Sequence, residues 1–383
     1  MIYLDSAATT AVRREVIEAM WPYLTGDFGN PSSHHALGES AATALAAARA
    51  TVARWLGCRA SEVVFTSGGT EADNLAIKGL ALAAPRGRHI VTTPIEHEAV
   101  LESCDYLVRQ HGFELSTVRV DSDGLVDVDE LESLVRDDTT LVSVMYANNE
   151  VGTVQPVAGI ADVAKRHGAR MHTDAVQAAG ALPLDVAGLG VDALSVSGHK
   201  LGAPKGIGAL YLRGGVAVEP VLHGGGQERG KRSGTENVAG AVGLAAAIEL
   251  ASRMPGDALG RLGGIRDGFI DEVLATVPGA VLTGHRTFRL PGNASFCFPG
   301  TSGEAVLLQL EQHDIVCSSG SACAAGRDDP SHVLVAMGID PAVAQTAVRF
   351  SFDAATTAEQ LHEVAQRLRE AVASVRAIGA PTR

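Results

Sequence analysis

Residues 63–80 read VVFTSGGTEADNLAIKGL. Val63 to Thr66 is a short apolar and β-branched run of strand type. Ser67, Gly68 and Gly69 break it, and Thr70 opens a helix-length segment that runs to Ala84. A strand that passes through a glycine turn straight into a helix is half of a βαβ unit, the building block of a parallel sheet covered on both faces. The pattern recurs. Further strand candidates are His89 to Thr93, Glu114 to Val118, Leu141 to Tyr146, Met171 to Thr173, Ala193 to Ser197 and Ile207 to Leu212. Helix-length segments such as Val157 to His167 lie between most of them. The expectation is an α/β fold with a mainly parallel sheet flanked by helices. In such sheets ligands bind beyond the carboxyl ends of the strands.

After about Met254 the texture changes. A helix from Arg261 to Ala275 leads to a strand at Ala294 to Phe298, a helix at Ser302 to Gln312, a Gly/Ser/Cys-rich loop and a last helix from Thr357 to Arg376. Pro255-Gly256 marks the boundary. The expected division is a large unit of residues 14–254 and a smaller α+β unit of residues 1–13 and 255–383. Gly38 to Leu56 reads as an Ala-rich packing helix.

Composition narrows the function. The chain has 383 residues and a net charge of −13, which argues against a nucleic-acid surface, because phosphate backbones demand a basic footprint. Hydrophobic residues reach 46%, enough for a large core, but aromatics are only 4%, so Ala, Val and Leu should build it. The 5 cysteines have no metal-ligand spacing and suit a reducing compartment. No apolar run reaches the roughly 18 residues of a membrane span. The opening MIYLDSAATT lacks the basic and apolar regions of a signal peptide, so a cytoplasmic protein is expected.

Four sites carry reactive chemistry. In the first, the amides of Gly69 and Thr70 and the Thr70 hydroxyl suit a phosphate at a helix N-terminus. The same turn also reads as an ordinary capped βα turn, with Thr70 and Asp73 as an N-cap pair. In the second, ALSVSGHKLGAPKGIGALYL (193–212), Lys200 follows a strand, with Ser197 and His199 beside it. An amine entering a cleft loses solvation and becomes a better nucleophile; a solvated loop lysine is the plainer reading. In the third, RMHTDAVQAAG (170–180), Asp174 ends a strand, where it either meets a cation such as a protonated pyridine nitrogen or caps a helix from Ala175. In the fourth, VCSSGSACAAGRDDPSHVL (316–334), Cys323 lies among small residues that permit motion and expose a thiol. Cys297 and Cys317 are expected in the core, and Cys58 and Cys104 as core or surface bystanders.

Taken in order, TSGGTEADN, EHEAV, YANNEVG, HTDAVQ, SGHK with APKGIGALY, HGGGQERGKRSGT and SSGSAC resemble the cysteine desulfurases of NifS/IscS type, in the class V aminotransferase family. The likeness runs from Tyr3 to about Phe352. It implies an aminotransferase-like large domain that binds pyridoxal 5'-phosphate, a smaller domain that carries the catalytic cysteine, and no metal. By the resemblance, Lys200 carries the cofactor, Asp174 faces its ring nitrogen, Gln177 its ring hydroxyl, and His97 stacks on the ring and moves protons. Gly69, Thr70, Ser197 and His199 hold the phosphate, and Thr235 reaches the phosphate of a neighbouring subunit, which implies a homodimer. Asn149 lies beside ring and substrate, Arg349 binds the substrate carboxylate, and Cys323 accepts the sulfur. The implied reaction converts L-cysteine to L-alanine and passes a persulfide sulfur to an acceptor protein, for iron–sulfur clusters or another thiolation pathway, with no direct nucleic-acid or membrane partner. An aminotransferase would need no thiol loop, a scaffold would need neither Lys200 nor Cys323, and a nicotinamide dehydrogenase would carry GxGxxG after the first strand. A selenocysteine-specific lyase remains a neighbour in chemistry.

Overall fold

The computed structural model describes residues 1–253, 257–319 and 329–379. The chain opens on a two-residue strand, β1 (Ile2–Tyr3). Seven strands then build the main sheet: β2 (Val63–Thr66), β3 (His89–Thr92), β4 (Glu114–Thr117), β5 (Thr139–Ser143), β6 (Arg170–Asp174), β7 (Ala193–Ser197) and β8 (Gly208–Leu212). Their order is β2-β8-β7-β6-β5-β3-β4. Strands β4, β3, β5, β6 and β7 pair in parallel, and β8 runs antiparallel to both β7 and β2. Thus only β8 opposes the rest, and the carboxyl ends of β2, β3, β5, β6 and β7 share one side.

Helices cover both faces, so β2, β3, β5, β7 and β8 are buried at every position, with no alternation of buried and exposed residues. Helix Ala36–Leu56 packs with Val238–Ser252 and Val157–Arg166 around Val91, Val142, Met171 and Leu194 on one face. Helices Gly69–Ala83 and Glu98–His111 bury Leu75, Ile77, Val100 and Leu107 on the other.

Several boundaries differ from the sequence reading. Helix Ala36–Leu56 starts two residues before Gly38, because the His35 imidazole accepts from the Gly38 amide and caps it. The strand expected at Leu141 to Tyr146 is Thr139–Ser143. Beyond Ser143 the amides of Val144 and Tyr146 still donate to the β6 carbonyls of His172 and Asp174, and Asn148 then closes a turn by accepting from the amides of Glu150 and Val151. Thr70 and Asp73 are not an N-cap pair. The helix begins at Gly69 with Gly68 as its cap, and Asp73 points inward, 1% exposed, with Oδ1 3.6 Å from Nε2 of His172. The three-residue spacing that suggests a cap also puts Asp73 on the face that packs on the sheet.

The later strands are β9 (Val281–Leu282), β10 (Asn293–Cys297), β11 (Ile315–Val316) and β12 (Ala347–Ser351). β9, β10 and β12 form an antiparallel sheet in the order β12-β10-β9, and β11 pairs in parallel with β1. Helices Ala258–Thr276, Gly303–Glu311 and Ala358–Gly379 accompany them. This part has its own core, built mainly from Ala, Val and Leu as expected, into which phenylalanine is concentrated. Phe269, Phe296, Phe298, Phe350 and Phe352 lie there, five of the chain's 9 phenylalanines. Phe269 meets Phe350 edge-on at 5.3 Å and 79°, a favoured arrangement of ring quadrupoles. Leu4 joins the same core, so the N-terminal strand belongs with the C-terminal part in packing. Pro255 and Gly256 lie outside the described residues. Among the described residues no helix is long and apolar enough to cross a membrane.

Candidate active site

The turn after β2 is built for close approach. The Thr66 hydroxyl donates to the Gly68 carbonyl at 2.9 Å, which folds the chain back toward the sheet. A Cβ on Gly69 would lie 2.8 Å from Val176 Cγ2 and 3.5 Å from Ser197 Cβ, so only glycine leaves this cradle open. The first amides of helix Gly69–Ala83 have no partner within the helix and carry its positive dipole end.

β7 ends at Ser197, and a single 3-10 turn, Gly198–Lys200, carries His199 and Lys200 onward. Lys200 Nζ donates to the carbonyls of Ala7 and, at 2.7 Å, Ala8. His199 Nδ1 lies 3.1 Å from the Thr9 hydroxyl. Burial first, then the charges of Lys200 and Lys205, push the His199 imidazole down to about 4, so it is neutral near pH 7.

Asp174 is the last residue of β6 and 6% exposed. Its Oδ1 accepts from the Val176 amide at 2.8 Å. The helix expected from Ala175 is a turn instead, which one carboxyl oxygen caps, and Asp174 also lines a cavity. Burial raises its pKa, and the charges of His97 and Lys200 oppose that. A second buried acid, Glu96, lies nearby and is pushed by burial up to about 8. His97 caps helix Glu98–His111, with Nδ1 accepting from the Ala99 amide at 3.0 Å. A neutral His97 thus keeps its proton on Nε2.

Arg349 sits in the middle of β12 and is 1% exposed. One terminal nitrogen donates to Asp5 Oδ1 at 2.7 Å and the other to the Asn149 carbonyl at 2.9 Å. Its Nε is buried with no hydrogen-bond partner. A buried donor left in that state calls for an acceptor.

These groups converge. A cavity of about 330 Å³ is lined by Gly69, Thr70, Ser197, His199 and Lys200, by His97, Asp174 and Gln177, and by Asn149 and Arg349. Ten of the expected site residues thus meet, drawn from segments between Gly69 and Arg349. Thr235 is exposed and does not line this cavity. Cys323 lies outside the described residues. On the near side of that segment, the amide and carbonyl of Ser318 pair with Arg349; on the far side, Ser331 donates to the buried Glu150 carboxylate. Cys297 and Cys104 are buried, whereas Cys317, expected inside, is only partly so.

Five lining residues, Ala7, Ala8, Asp73, Met145 and Val176, were not expected from the sequence, nor was Asp5 behind Arg349. Only the acidic and small residues of the opening DSAAT could have signalled three of them. A second cavity of about 330 Å³ shares Gln177 and Lys200 but is lined by Val12, Leu201, Leu262 and Phe352, without Asp174, His97 or Arg349. The chemistry therefore belongs to the first. Among the described residues no group of His, Cys, Asp and Glu could hold a metal ion.

The donor set fits pyridoxal phosphate. The cavity brings together a buried carboxyl, a glycine cradle at a helix N-terminus and a lysine amine, groups whose chemistry suits a pyridine nitrogen, a phosphate and an aldehyde.

The family model for class V aminotransferases matches residues 2–364. The chain is 46% identical over 378 residues to a cysteine desulfurase IscS of Dictyoglomus turgidum, covering 98% of this chain and 96% of that one. A solved NifS-like protein superposes with a TM-score of 0.90 at 40% identity, over 97% of this chain and 99% of that one. SspA in complex with cysteine gives 0.80 at 36% identity, over 92% and 99%.

Proposed function

The chain belongs to the class V aminotransferase family and is a pyridoxal-phosphate-dependent cysteine desulfurase, and we propose that Lys200, Asp174, Arg349 and Cys323 carry its chemistry. One observation supports this assignment above the others: an amine, a buried carboxylate and a guanidinium with an unsatisfied Nε line one cavity. When bound, pyridoxal phosphate supplies the electron sink for bonds at the substrate α-carbon.

Asp174 keeps the ring nitrogen protonated. Gly69, Thr70, Ser197 and His199 hold the phosphate, with Gln177 at the ring hydroxyl and His97 against the ring. Arg349 binds the carboxylate of L-cysteine through its Nε, while Asp5 and the Asn149 carbonyl keep the guanidinium from turning. The Lys200 amine takes the proton from the α-carbon. The Cys323 thiolate then attacks the substrate sulfur. An S–S bond forms, the C–S bond breaks with its electron pair left on the carbon side, and a proton completes L-alanine. Cys323 keeps the sulfur as a persulfide until an acceptor protein takes it for iron–sulfur cluster assembly or another thiolation.

The same reading gives a pyridoxal-phosphate-binding domain of residues 14–254 and a small domain of residues 1–13 and 255–383. The separate Phe-rich core and the packing of Leu4 into it support that division. It also gives a homodimer in which Thr235 serves the partner's phosphate. Ile17, Trp21, Leu24 and Phe28, all more than half exposed, form the kind of apolar face that a second copy covers. The described cysteines are free thiols, as suits the cytoplasm.

Borohydride reduction of the cofactor-loaded enzyme, followed by digestion and mass spectrometry, tests the assignment. The pyridoxyl group is expected on Lys200; finding it on Lys205 would overturn the scheme.

A further inference from the structure

Glu71 stands in the first turn of helix Gly69–Ala83, next to Thr70. Its position poses a physical problem. A carboxylate at a helix N-terminus competes for the same positive dipole end that a phosphate group needs, and the two anions repel each other. The structure supplies a counter-charge from far along the chain. Arg232 Nε donates to Glu71 Oε1 at 2.7 Å, and a terminal nitrogen donates to Oε2 at 3.3 Å. The side chains are 20% and 14% exposed, so this pair is well shielded from water. Glu71 Oε2 also accepts from the Ser67 amide at 2.9 Å and so ties down the turn that leads into Gly68 and Gly69. Burial pushes the Glu71 carboxyl up, and its bonds to Arg232 and Ser67 outweigh that, so the net shift is downward and the group is ionised.

Arg232 is not free to wander. The residues before it, Glu228 and Arg229, hold φ of 47° and 58°, a left-handed conformation that is costly for non-glycine residues and persists only where the surroundings enforce it. The enforcement is visible. Arg49 grips both oxygens of Glu228 at 2.6 and 2.7 Å, the Phe65 amide donates to Glu228 at 3.2 Å, and Arg229 donates to the Val63 carbonyl. The segment is thereby fastened to β2, the strand that runs into the same turn. It works as a brace, with one foot on β2 and the other, Arg232, on Glu71.

We infer that Arg232 is a positioning residue for the cofactor's phosphate, acting through Glu71: it neutralises the one carboxylate in the first turn of the phosphate-binding helix and fixes the turn through Ser67. The inference rests on the reading of Gly69 and Thr70 as the phosphate site.

The test uses the full chain stripped of cofactor and titrated with pyridoxal phosphate and with pyridoxal, which lacks the phosphate, with binding read from absorbance and protein fluorescence. Arg232→Ala is expected to weaken pyridoxal phosphate binding about tenfold, about 1.4 kcal/mol, and to leave pyridoxal binding unchanged. Arg232→Lys should stay within about threefold of the parent chain. Glu71→Gln combined with Arg232→Ala should recover most of the loss, because the charge that needed cancelling is gone. Equal weakening toward both ligands, or none toward either, would overturn the inference. So would a double variant as weak as Arg232→Ala. Should Arg232→Ala fail to fold, the double variant and Arg232→Lys decide by the same comparison. Thr70→Ala separates the underlying reading: if it keeps the full preference for the phosphorylated ligand, the phosphate site lies elsewhere and the inference falls with it.

Discussion

Gly69→Ala isolates the glycine cradle. The backbone there is helical with no positive φ, so alanine can adopt it. The added methyl, however, would sit 2.8 Å from Val176 Cγ2, against the 3.4 Å where ordinary contact begins. Val176 or the turn must give by about 0.6 Å, and overpacking of this kind costs about 1–3 kcal/mol. Helix propensity returns up to about 1 kcal/mol. The cofactor-free protein should therefore lose between nothing and about 3 kcal/mol. Cofactor binding should suffer more, because Val176 and Ser197 both line the cavity and Ser197 is a phosphate ligand in this scheme. Losing the alignment of one charge-assisted hydrogen bond, worth about 1.5–3 kcal/mol, weakens binding about 10- to 100-fold. Gly263→Ala is the control: it lies within helix Ala258–Thr276, and a Cβ there meets nothing within 4 Å. It should stabilise the protein by about 1 kcal/mol and leave binding alone. The assays are urea melts and a pyridoxal phosphate titration. Unchanged affinity in Gly69→Ala would refute the assignment of this turn to the phosphate.

Arg349→Lys keeps a charge beside Asp5 but loses the planar fork, so KM for cysteine should rise about tenfold or more while the protein stays folded; an unchanged KM in steady-state alanine assays would count against Arg349 as the carboxylate site. Burial pushes His172 down to about 3, so the unfolded chain takes a proton below its ordinary value of 6.5 that the folded chain refuses, and stability falls as pH drops from 6.5 toward 3. Between pH 6.5 and 5 this amounts to about 2 kcal/mol at 1.36 kcal/mol per unit, and His172→Gln should flatten that limb in cofactor-free urea melts. Glu96, pushed up to about 8, works the other way: it holds a proton that the unfolded chain releases above 4.5, so stability falls as pH rises from 4.5 through 8, and Glu96→Gln should remove that slope. Cys297→Ser buries a hydroxyl and should cost about 1–3 kcal/mol of stability without loss of alanine production per folded molecule.

The fold was legible where local pattern and global role agree. β2, β7 and most of β8 fall where short apolar runs are bounded by glycine, and the strand ends deliver Lys200 and Asp174 to the cavity as a parallel sheet requires. What the pattern could not carry is contact between distant segments. Asp5 and Arg349 are 344 residues apart, and nothing in either neighbourhood announces their pairing. Ala7 and Ala8 reach Lys200 through backbone carbonyls, which every residue possesses. Asp73 looked like a cap because caps and buried helix faces share a three-residue spacing. The Phe-rich second core escaped because composition averages over a chain whose 9 phenylalanines are unevenly spent.

The central claim is that Cys323 accepts the sulfur, and one comparison tests it most directly. Cys323→Ser and the parent enzyme, both loaded with pyridoxal phosphate, are given L-cysteine, with alanine measured and the intact protein and its peptides weighed. Lys200, Asp174 and Arg349 are untouched, so the variant should still bind cofactor and substrate. A hydroxyl is a far weaker nucleophile toward sulfur than a thiolate, so the account predicts almost no alanine and no added sulfur in the variant, against a persulfide on Cys323 in the parent. Parental alanine production by the variant, or a persulfide mapped to Cys317, would contradict it.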